Sequence, residues 1–117
     1  MLGPIARMIQ SQGVEYQVRN DTTDGGGRST PSYSPDGTFI GVLESRGMPQ
    51  TATDSDGTEV ETDLEIRSVP DGDVDLIPAG SAEGYPTLLD HPDGRTYRLL
   101  DRYTEDGGVT VLTVVSE

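Results

Sequence analysis

The chain has 117 residues, a formal net charge of −13 and a pI near 4.1, with 21 acidic side chains against eight basic ones. Only 32% of the residues are hydrophobic, so we expect one small core and no deep substrate pocket. No basic patch is present to release counterions from phosphates, which excludes nucleic-acid binding by charge attraction. Cysteine is absent, which excludes disulfides, thiolate nucleophiles and cysteine-based zinc sites.

The basic residues are all arginine, and there is no lysine. Concentrated salt screens charge repulsion beyond about 3 Å at 1 M, and hydrated carboxylates then hold a protein in solution. This balance predicts a salt-adapted source. A disordered acidic chain is the alternative. However, the acidic residues alternate with Val, Ile, Leu and Tyr, which predicts a folded domain.

A short helix is predicted over residues 5–12, after Pro4 and with apolar residues at helical spacing. Gly13 ends this helix, and residues 14–19 then alternate apolar and polar side chains, as in a half-buried strand. Residues 20–36 contain three consecutive glycines and two prolines, and they predict a long loop without core residues. The N-terminus lacks the regions of a signal peptide, and no apolar run has the length of a membrane span.

The rest of the chain predicts short strands separated by turns. We place these strands at 38–44, at 60 with 63–69, and at 74–77, 87–90, 95–103 and 109–115. The polar stretch 45–57, whose one large apolar residue is Met48, predicts a second long loop. The last strand carries valine or leucine on both faces, so we expect it to be buried on both sides, by a barrel interior or by a neighbouring subunit.

The predicted fold is therefore mainly β: a small antiparallel β-barrel or sandwich with two long loops and a short N-terminal helix, in one domain over residues 1–117. The alternation within the strands also identifies the side chains that we expect in the core. These are Val18, Leu43, Ile66, Tyr97, Leu99 and Val111.

No motif predicts catalysis or a metal site. His91 is the single histidine, and the sequence marks no serine or cysteine nucleophile as its partner. The acidic segments 54–57 and 71–75 do not follow the ligand order of an EF-hand, and Asp-Gly pairs are ordinary turn chemistry. The glycines at 25–27 lie outside any strand–helix junction and lack the lysine of a phosphate loop. We therefore expect a protein that is not an enzyme, with no cofactor and no metal.

The C-terminal third resembles the head-closure, or stopper, proteins of tailed viruses. Its short strand 86–90, the turn Asp93-Gly94 followed by Tyr97, an Asp-Gly-Gly hairpin and the final valine-rich strand stand in the order of that family. The earlier elements follow the same layout, although this chain has Arg, Asp and Thr where family members carry Lys and more aromatic residues. The likeness covers residues 14–117 in arrangement and 85–117 in motif.

This resemblance implies a structural protein of the head–tail connector in the neck of a virion, here of a haloarchaeal virus, assembled in the host cytoplasm. It implies a homo-oligomeric ring below the portal and adaptor proteins and above tail-completion or tail-tube proteins. The ring would close the DNA-filled head, provide the tail attachment surface, and let genomic DNA pass without sequence-specific binding or membrane contact. A tail-completion or adaptor subunit of the same neck, or a non-viral acidic β-barrel that binds a partner protein, are the alternatives.

Both predicted loops are expected to carry this function. The family layout places a channel-facing arm at 45–57, where small side chains crowd around the axis, carboxylates repel phosphates and one methionine packs against a symmetry mate. The expected channel-facing residues are Met48, Thr51, Ala52, Thr53, Asp54 and Asp56. Loop 20–36 is expected to meet a neighbouring subunit or ring. Its expected contact residues are Gly25, Gly26, Gly27, Arg28 and Tyr33.

Overall fold

A computed structural model describes residues 3–21, 32–53, 59–69, 74–79, 85–105 and 107–117. Its elements are α1 (Pro4–Gln12), β1 (Val14–Asp21), β2 (Tyr33–Thr53), β3 (Glu59–Val69), β4 (Leu88–Asp90), β5 (Thr96–Glu105) and β6 (Val109–Ser116). The strands pair antiparallel and close into a barrel in the order β1-β2-β3-β6-β5-β4, with β4 returning to β1. The predicted mainly β fold with a short N-terminal helix is therefore confirmed, as a barrel. No helix in these ranges is long and apolar enough to cross a membrane.

Apolar side chains pack on both sides of the barrel wall. The interior cluster comprises Tyr16, Val18, Phe39, Ile66, Leu76, Leu89, Tyr97, Leu99, Leu112 and Val114. A second cluster outside the wall comprises Ala6, Ile9, Val109 and Val111, with Val42 and Val69 packed against it. Burying one such large side chain contributes about 1.5–3 kcal/mol, so both clusters stabilise the fold, and β6 contributes to each.

Helix α1 packs on the outside of the barrel against β2 and β3, and its Ala6 and Ile9 also cover Val109 and Val111 of β6. Pro4 stands in its first turn, where a missing N–H costs no hydrogen bond, and Gly13 ends it by donating its N–H to the carbonyl of Ile9 at 2.8 Å. The Gly3 N–H donates to the carbonyl of Gly107 at 3.2 Å, which fixes the start of the helix to the β5–β6 hairpin. The two-sided burial expected of the last strand is confirmed. The chain's own helix supplies the outer cover, so this burial does not require a neighbouring subunit.

The expected core residues lie where the alternation places them. Five of them are at most 2% exposed, namely Val18, Ile66, Tyr97, Leu99 and Val111. Leu43 is half-buried and packs against the interior cluster. Period-two alternation therefore identifies the buried face on several strands. Val111 differs from the others, because it is buried in the cluster outside the wall and not in the barrel interior.

Three sequence-based boundaries are wrong. Residues 20–21 end β1 and residues 33–36 begin β2, so these parts of the predicted loop 20–36 belong to the barrel. Residues 45–53 continue β2 instead of forming a loop. Residues 74–77 form no strand, although Leu76 is buried in the interior cluster. The reason is the same in each case: pairing partners and hydrogen bonds to other segments, which local composition does not show, decide these conformations.

Candidate functional site

Strands β2 and β3 extend beyond the barrel as a two-stranded arm, made of residues 45–53 and 59–63. β2 pairs with β1 only as far as Gly41, and β3 pairs with β6 only from Leu64 onward. Beyond these points the outer edges of both strands have no strand partner among the described residues. An isolated two-stranded ribbon is marginally stable, so contacts at its base must hold the arm in place.

A bulge in β2, residues 46–49, marks the base of the arm. The register changes from Ser45 opposite Leu64 to Gln50 opposite Thr62, so four residues of β2 stand against one of β3. Gly47 has a φ of +75°, a conformation that favours glycine. The bulge leaves Met48 77% exposed.

Polar side chains order the bulge. The Arg46 Nη1 donates to Gln50 Oε1 at 2.7 Å. Ser45 Oγ donates to Asp63 Oδ2 at 2.8 Å. These bonds join residues of the bulge, its two flanking residues and the residue opposite it, so they order the backbone around Met48.

Glu65 connects the bulge to the barrel wall. This carboxylate belongs to a residue only 4% exposed. It lies 3.6 Å from the Arg46 Nε and accepts a hydrogen bond from the Tyr103 hydroxyl at 3.4 Å. Thr62 Oγ1 donates to the carbonyl of Val114 at 2.6 Å. The arm is thus tied at its base to β5 and β6, and a buried carboxylate keeps a cationic partner, as burial of charge requires.

The outer face of the arm is acidic. Residues 59, 61, 63 and 65 alternate along β3 and so share one face of it. Glu59 and Glu61 are exposed, and neither forms an ion pair within the described residues. Their backbone partners on β2 are Thr53 and Thr51. The backbone register thus sets both glutamates opposite threonines along the arm.

The expected channel-facing residues fall into two groups. Met48 and Thr51 are exposed on the arm, and Ala52 and Thr53 lie in β2 opposite Val60 and Glu59. The remaining two, Asp54 and Asp56, lie outside the described residues. Sequence reasoning missed Arg46, Gln50 and Glu65, because their contacts with one another depend on a bulge that alternation does not reveal.

The second predicted contact region is only partly described. Residues 25–28, comprising three glycines and Arg28, lie outside the described residues. Tyr33 is half-buried in β2, and its hydroxyl donates to the carbonyl of Pro86 at 2.8 Å. Burial, together with the nearby carboxylate of Asp21, raises the pKa of Tyr33 to about 12. Its expected place in a loop is therefore wrong: Tyr33 begins β2, and its side chain contacts the segment before β4.

A polar cluster closes the same end of the barrel, and sequence reasoning did not foresee it. Asn20 is 8% exposed, and its amide donates to Asp36 Oδ2 at 2.7 Å and to the carbonyl of Asp75 at 2.8 Å. The Thr87 hydroxyl donates to the side-chain oxygen of Asn20, Oδ1, and the Ile77 N–H donates to that hydroxyl at 2.7 Å. These bonds fix residues 75–77 without a strand.

A cavity of about 290 Å³ adjoins this cluster. It is lined by Asn20, Asp21, Ser34, Pro35, Asp36, Asp75 and Ile77. No group of three or more histidine or carboxylate side chains is placed to hold a metal ion within the ranges that the structure describes. The polar atoms of the Asn20 side chain are satisfied by Asp36, Asp75 and Thr87, so they are already used within the fold.

His91 lies in the turn between β4 and β5. Its Nδ1 accepts the Asp93 N–H at 3.1 Å and lies 2.9 Å from Asp93 Oδ1. The imidazole meets the Tyr16 ring edge-on at 5.4 Å between centroids. These contacts are those of a turn residue packed on the barrel core.

Comparison with known proteins gives partial similarity to phosphoglucosamine mutases. The chain is 31% identical over 107 residues to that of Streptococcus pyogenes and 28% identical over 102 residues to that of Streptococcus agalactiae. These alignments cover 89% and 87% of the chain but only 22% and 21% of the mutases. No family model matches the chain, and no solved structure does. The chain thus spans about a fifth of the curated relatives it matches, and the similarity shows a likeness to one segment of them.

Proposed function

We propose that this protein is a structural subunit of a head–tail connector, and that its arm faces the channel of a ring. The observation that supports this proposal is the arm itself: a ribbon held firmly at its base, unpaired along both edges, and built from the residues that the resemblance assigns to the channel. A closed barrel has no free sheet edges for further assembly, so the unpaired edges of the arm remain available to other subunits.

In such a ring the arm obstructs the channel by its bulk, and its negative charge keeps DNA from adhering to it. At 1 M salt the Debye length is about 3 Å, so carboxylates repel DNA only near contact. Glu59 and Glu61 therefore act by keeping phosphates from binding, while the backbone and the threonines of the arm fill the channel. DNA is retained when the arms converge and slides past them when they part.

Shortening the arm tests this role. Thr51–Glu61 is replaced by Asn-Gly, which joins the register partners Gln50 and Thr62 through a two-residue turn suited to a hairpin. We expect the barrel to fold and the ring to assemble, while filled heads lose DNA. The matched control, Glu59→Gln with Glu61→Gln, keeps the length of the arm and should retain DNA. Full DNA retention by the shortened variant in normally assembled particles would reduce the arm to a spacer.

A second candidate function follows from the similarity to phosphoglucosamine mutases, which covers nearly nine-tenths of the chain. In this alternative the chain shares the activity of those enzymes or binds phosphoglucosamine. Calorimetric titration of the protein with phosphoglucosamine in molar KCl, together with a turnover assay, tests it. Saturable binding favours this candidate, and the absence of both binding and turnover removes it.

The remaining alternative is a free-standing acidic barrel that binds a partner protein. Light scattering in molar salt distinguishes it from the connector. A chain that stays monomeric when mixed with portal and tail proteins supports the binding module, whereas assembly with them supports the connector.

A further inference from the structure

The bulge of β2 is the place where the arm can turn against the barrel. Among the described strands, only β2 and β3 themselves continue past it, since β1 pairs with β2 as far as Gly41 and β6 pairs with β3 from Leu64. Gly47 lies in the bulge with a φ of +75°, and a Cβ built there would meet no described atom within 4 Å beyond its chain neighbours. The backbone is therefore not wedged at this point, and side-chain contacts decide the orientation of the arm.

Those contacts converge on one buried carboxylate, that of Glu65. Arg46 Nη1 donates to Gln50 Oε1 at 2.7 Å, so the two side chains bridge the bulge. From there Arg46 Nε reaches to 3.6 Å from Glu65 Oε1, and Gln50 Nε2 donates to Thr113 Oγ1 at 3.4 Å. Thr113 is the register partner of Glu65 on β6. The Tyr103 hydroxyl donates to Glu65 Oε2 at 3.4 Å.

Glu65 is buried although it lies on the outside of the barrel wall. Its neighbour Ile66 belongs to the interior cluster, so alternation turns the carboxylate outward. The residue is nevertheless only 4% exposed. The side chains that bridge the bulge contact this residue and its register partner, so they are part of its cover. The burial of Glu65 and the orientation of the arm therefore depend on each other.

Arg46 is the cation that Glu65 has available. The other arginine on this face, Arg67, already bridges two carboxylates at 3.1 and 2.9 Å, those of Glu44 and Glu105. Both contacts of the Glu65 carboxylate are longer than the roughly 2.7–2.9 Å of a strong charged hydrogen bond. The pair therefore holds the arm without locking it.

We propose that Arg46 and Glu65 form a latch that holds the arm in the orientation of this structure, and that the arm turns about the bulge when the pair separates. Withdrawal of Arg46 uncovers the carboxylate, because the bridging side chains move with the arm. Glu65 then gains water in place of the arginine, and this hydration offsets much of the lost attraction. The arm can therefore pass reversibly between a latched and a released orientation.

The latch deepens the proposed function, and its bearing on DNA rests on that function. In the connector, the two orientations are those in which the arms converge and part. Particles with a broken latch should lose DNA although every arm keeps its full length. The movement itself belongs to the single chain and is measured there. Failure of the connector role and failure of the latch therefore appear in different experiments.

The distance between two spin labels reports the orientation of the arm. The chain has no cysteine, so labels attach only at Glu59→Cys on the arm and Thr104→Cys on β5, both exposed positions. Glu59 lies four residues beyond Asp63, about 13 Å along the arm at a rise of roughly 3.3 Å per residue. A rotation at the bulge therefore changes this distance. Pulsed electron paramagnetic resonance in molar KCl should give one narrow distance peak for the latched chain.

Breaking the latch should add a second population of distances. Arg46→Gln and Glu65→Gln should each raise the ratio of released to latched arms by about tenfold, the effect of losing one contact between charged groups. The double variant should raise this ratio no further than either single variant, because the same pair is lost only once. Arg7→Gln and Glu15→Gln remove the same charges at exposed positions elsewhere. They are the matched controls and should leave the distances unchanged.

Three outcomes would overturn the latch. They are a broad distance distribution in the unmodified chain, distances that neither Arg46→Gln nor Glu65→Gln changes, and effects of the two changes that add in the double variant. Circular dichroism establishes that each variant is folded. Arg46 is 44% exposed, so Arg46→Gln tests the latch even where Glu65→Gln does not fold. Normal DNA retention by particles with released arms would reject the link to the connector and leave the latch standing.

Discussion

Gly41 stands where β2 passes over the barrel core, and Gly41→Ala should destabilise the fold. A Cβ added there would lie 2.6 Å from Ile66 Cγ2 and 3.0 Å from Phe39 Cε2. Neither neighbour can move freely, because Phe39 stacks on Tyr16 at 5.5 Å between centroids and Ile66 is fully buried. Overpacking of this kind costs about 1–3 kcal/mol, partly offset by the roughly 0.5–1 kcal/mol gained when alanine replaces glycine in a strand.

Thermal unfolding in molar KCl measures this cost. At this chain length a loss of 1 kcal/mol lowers the midpoint by about 3–6 °C, so a net loss of about 1–2 kcal/mol is readily measured. The matched comparison is a double-mutant cycle with Ile66→Ala, which removes the methyl group that the new Cβ meets. Gly41→Ala should cost clearly less in that background. An equal cost in both backgrounds would refute the steric explanation.

Three further predictions concern stability. Tyr16→Phe should raise stability by about 1 kcal/mol, since the Tyr16 hydroxyl is buried without a hydrogen-bond partner in the described part of the chain; a loss of stability in urea unfolding would show that this hydroxyl is satisfied. Burial raises the pKa of Asp90, but hydrogen bonds from Arg19 and Thr96 outweigh it, so the folded-state pKa lies below 3.8. The stabilisation that ionised Asp90 contributes is therefore complete above pH 3.8 and is lost as pH falls through the lower folded-state pKa. Asp90→Asn should therefore make the free energy of unfolding fall less steeply at acid pH. An unchanged fall would contradict this. Unscreened carboxylates repel one another in dilute buffer, so the unfolding midpoint should rise towards molar KCl, and a flat or falling midpoint would remove the salt-adaptation argument.

The sequence predicts the elements that depend on local pattern. Residues 14–18 and the last strand alternate clearly, and both become strands. On the last strand the expected core residue Val111 packs outside the wall, and Leu112 and Val114 face the interior. The helix follows from Pro4, Gly13 and the spacing of its apolar residues. Each of these elements is bounded by proline or glycine residues, so the period of its apolar residues is enough to assign it.

The arm could not be predicted from local pattern. Its β2 strand contains Gly47 and Pro49 and has few apolar residues, which are features of a loop, yet it pairs with Glu59–Thr62. The partner strand and the bulge supply the order that composition conceals. Residues 74–77 show the opposite error. Their apolar residues predicted a strand, but the structure has none there. Burial of Leu76 in the interior cluster and a hydrogen bond from the Ile77 N–H to the Thr87 hydroxyl hold this segment instead.

The outer cover of β6 was also beyond sequence reasoning. Val109 and Val111 signal a buried outer face, but nothing in their own pattern says what buries it. The amphipathic face of α1 lies a hundred residues away in the chain, and only the closed barrel brings the two together. Burial of this face by a neighbouring subunit and burial by the chain's own helix would produce the same apolar pattern in the sequence of β6.

Electron cryomicroscopy of the neck of virions that contain this protein tests the central proposal most directly. The connector account predicts a ring of six-stranded barrels between portal and tail, each with its β2–β3 arm directed at the channel axis. Absence of the protein from the neck, or a ring whose arms point away from the axis, would contradict it.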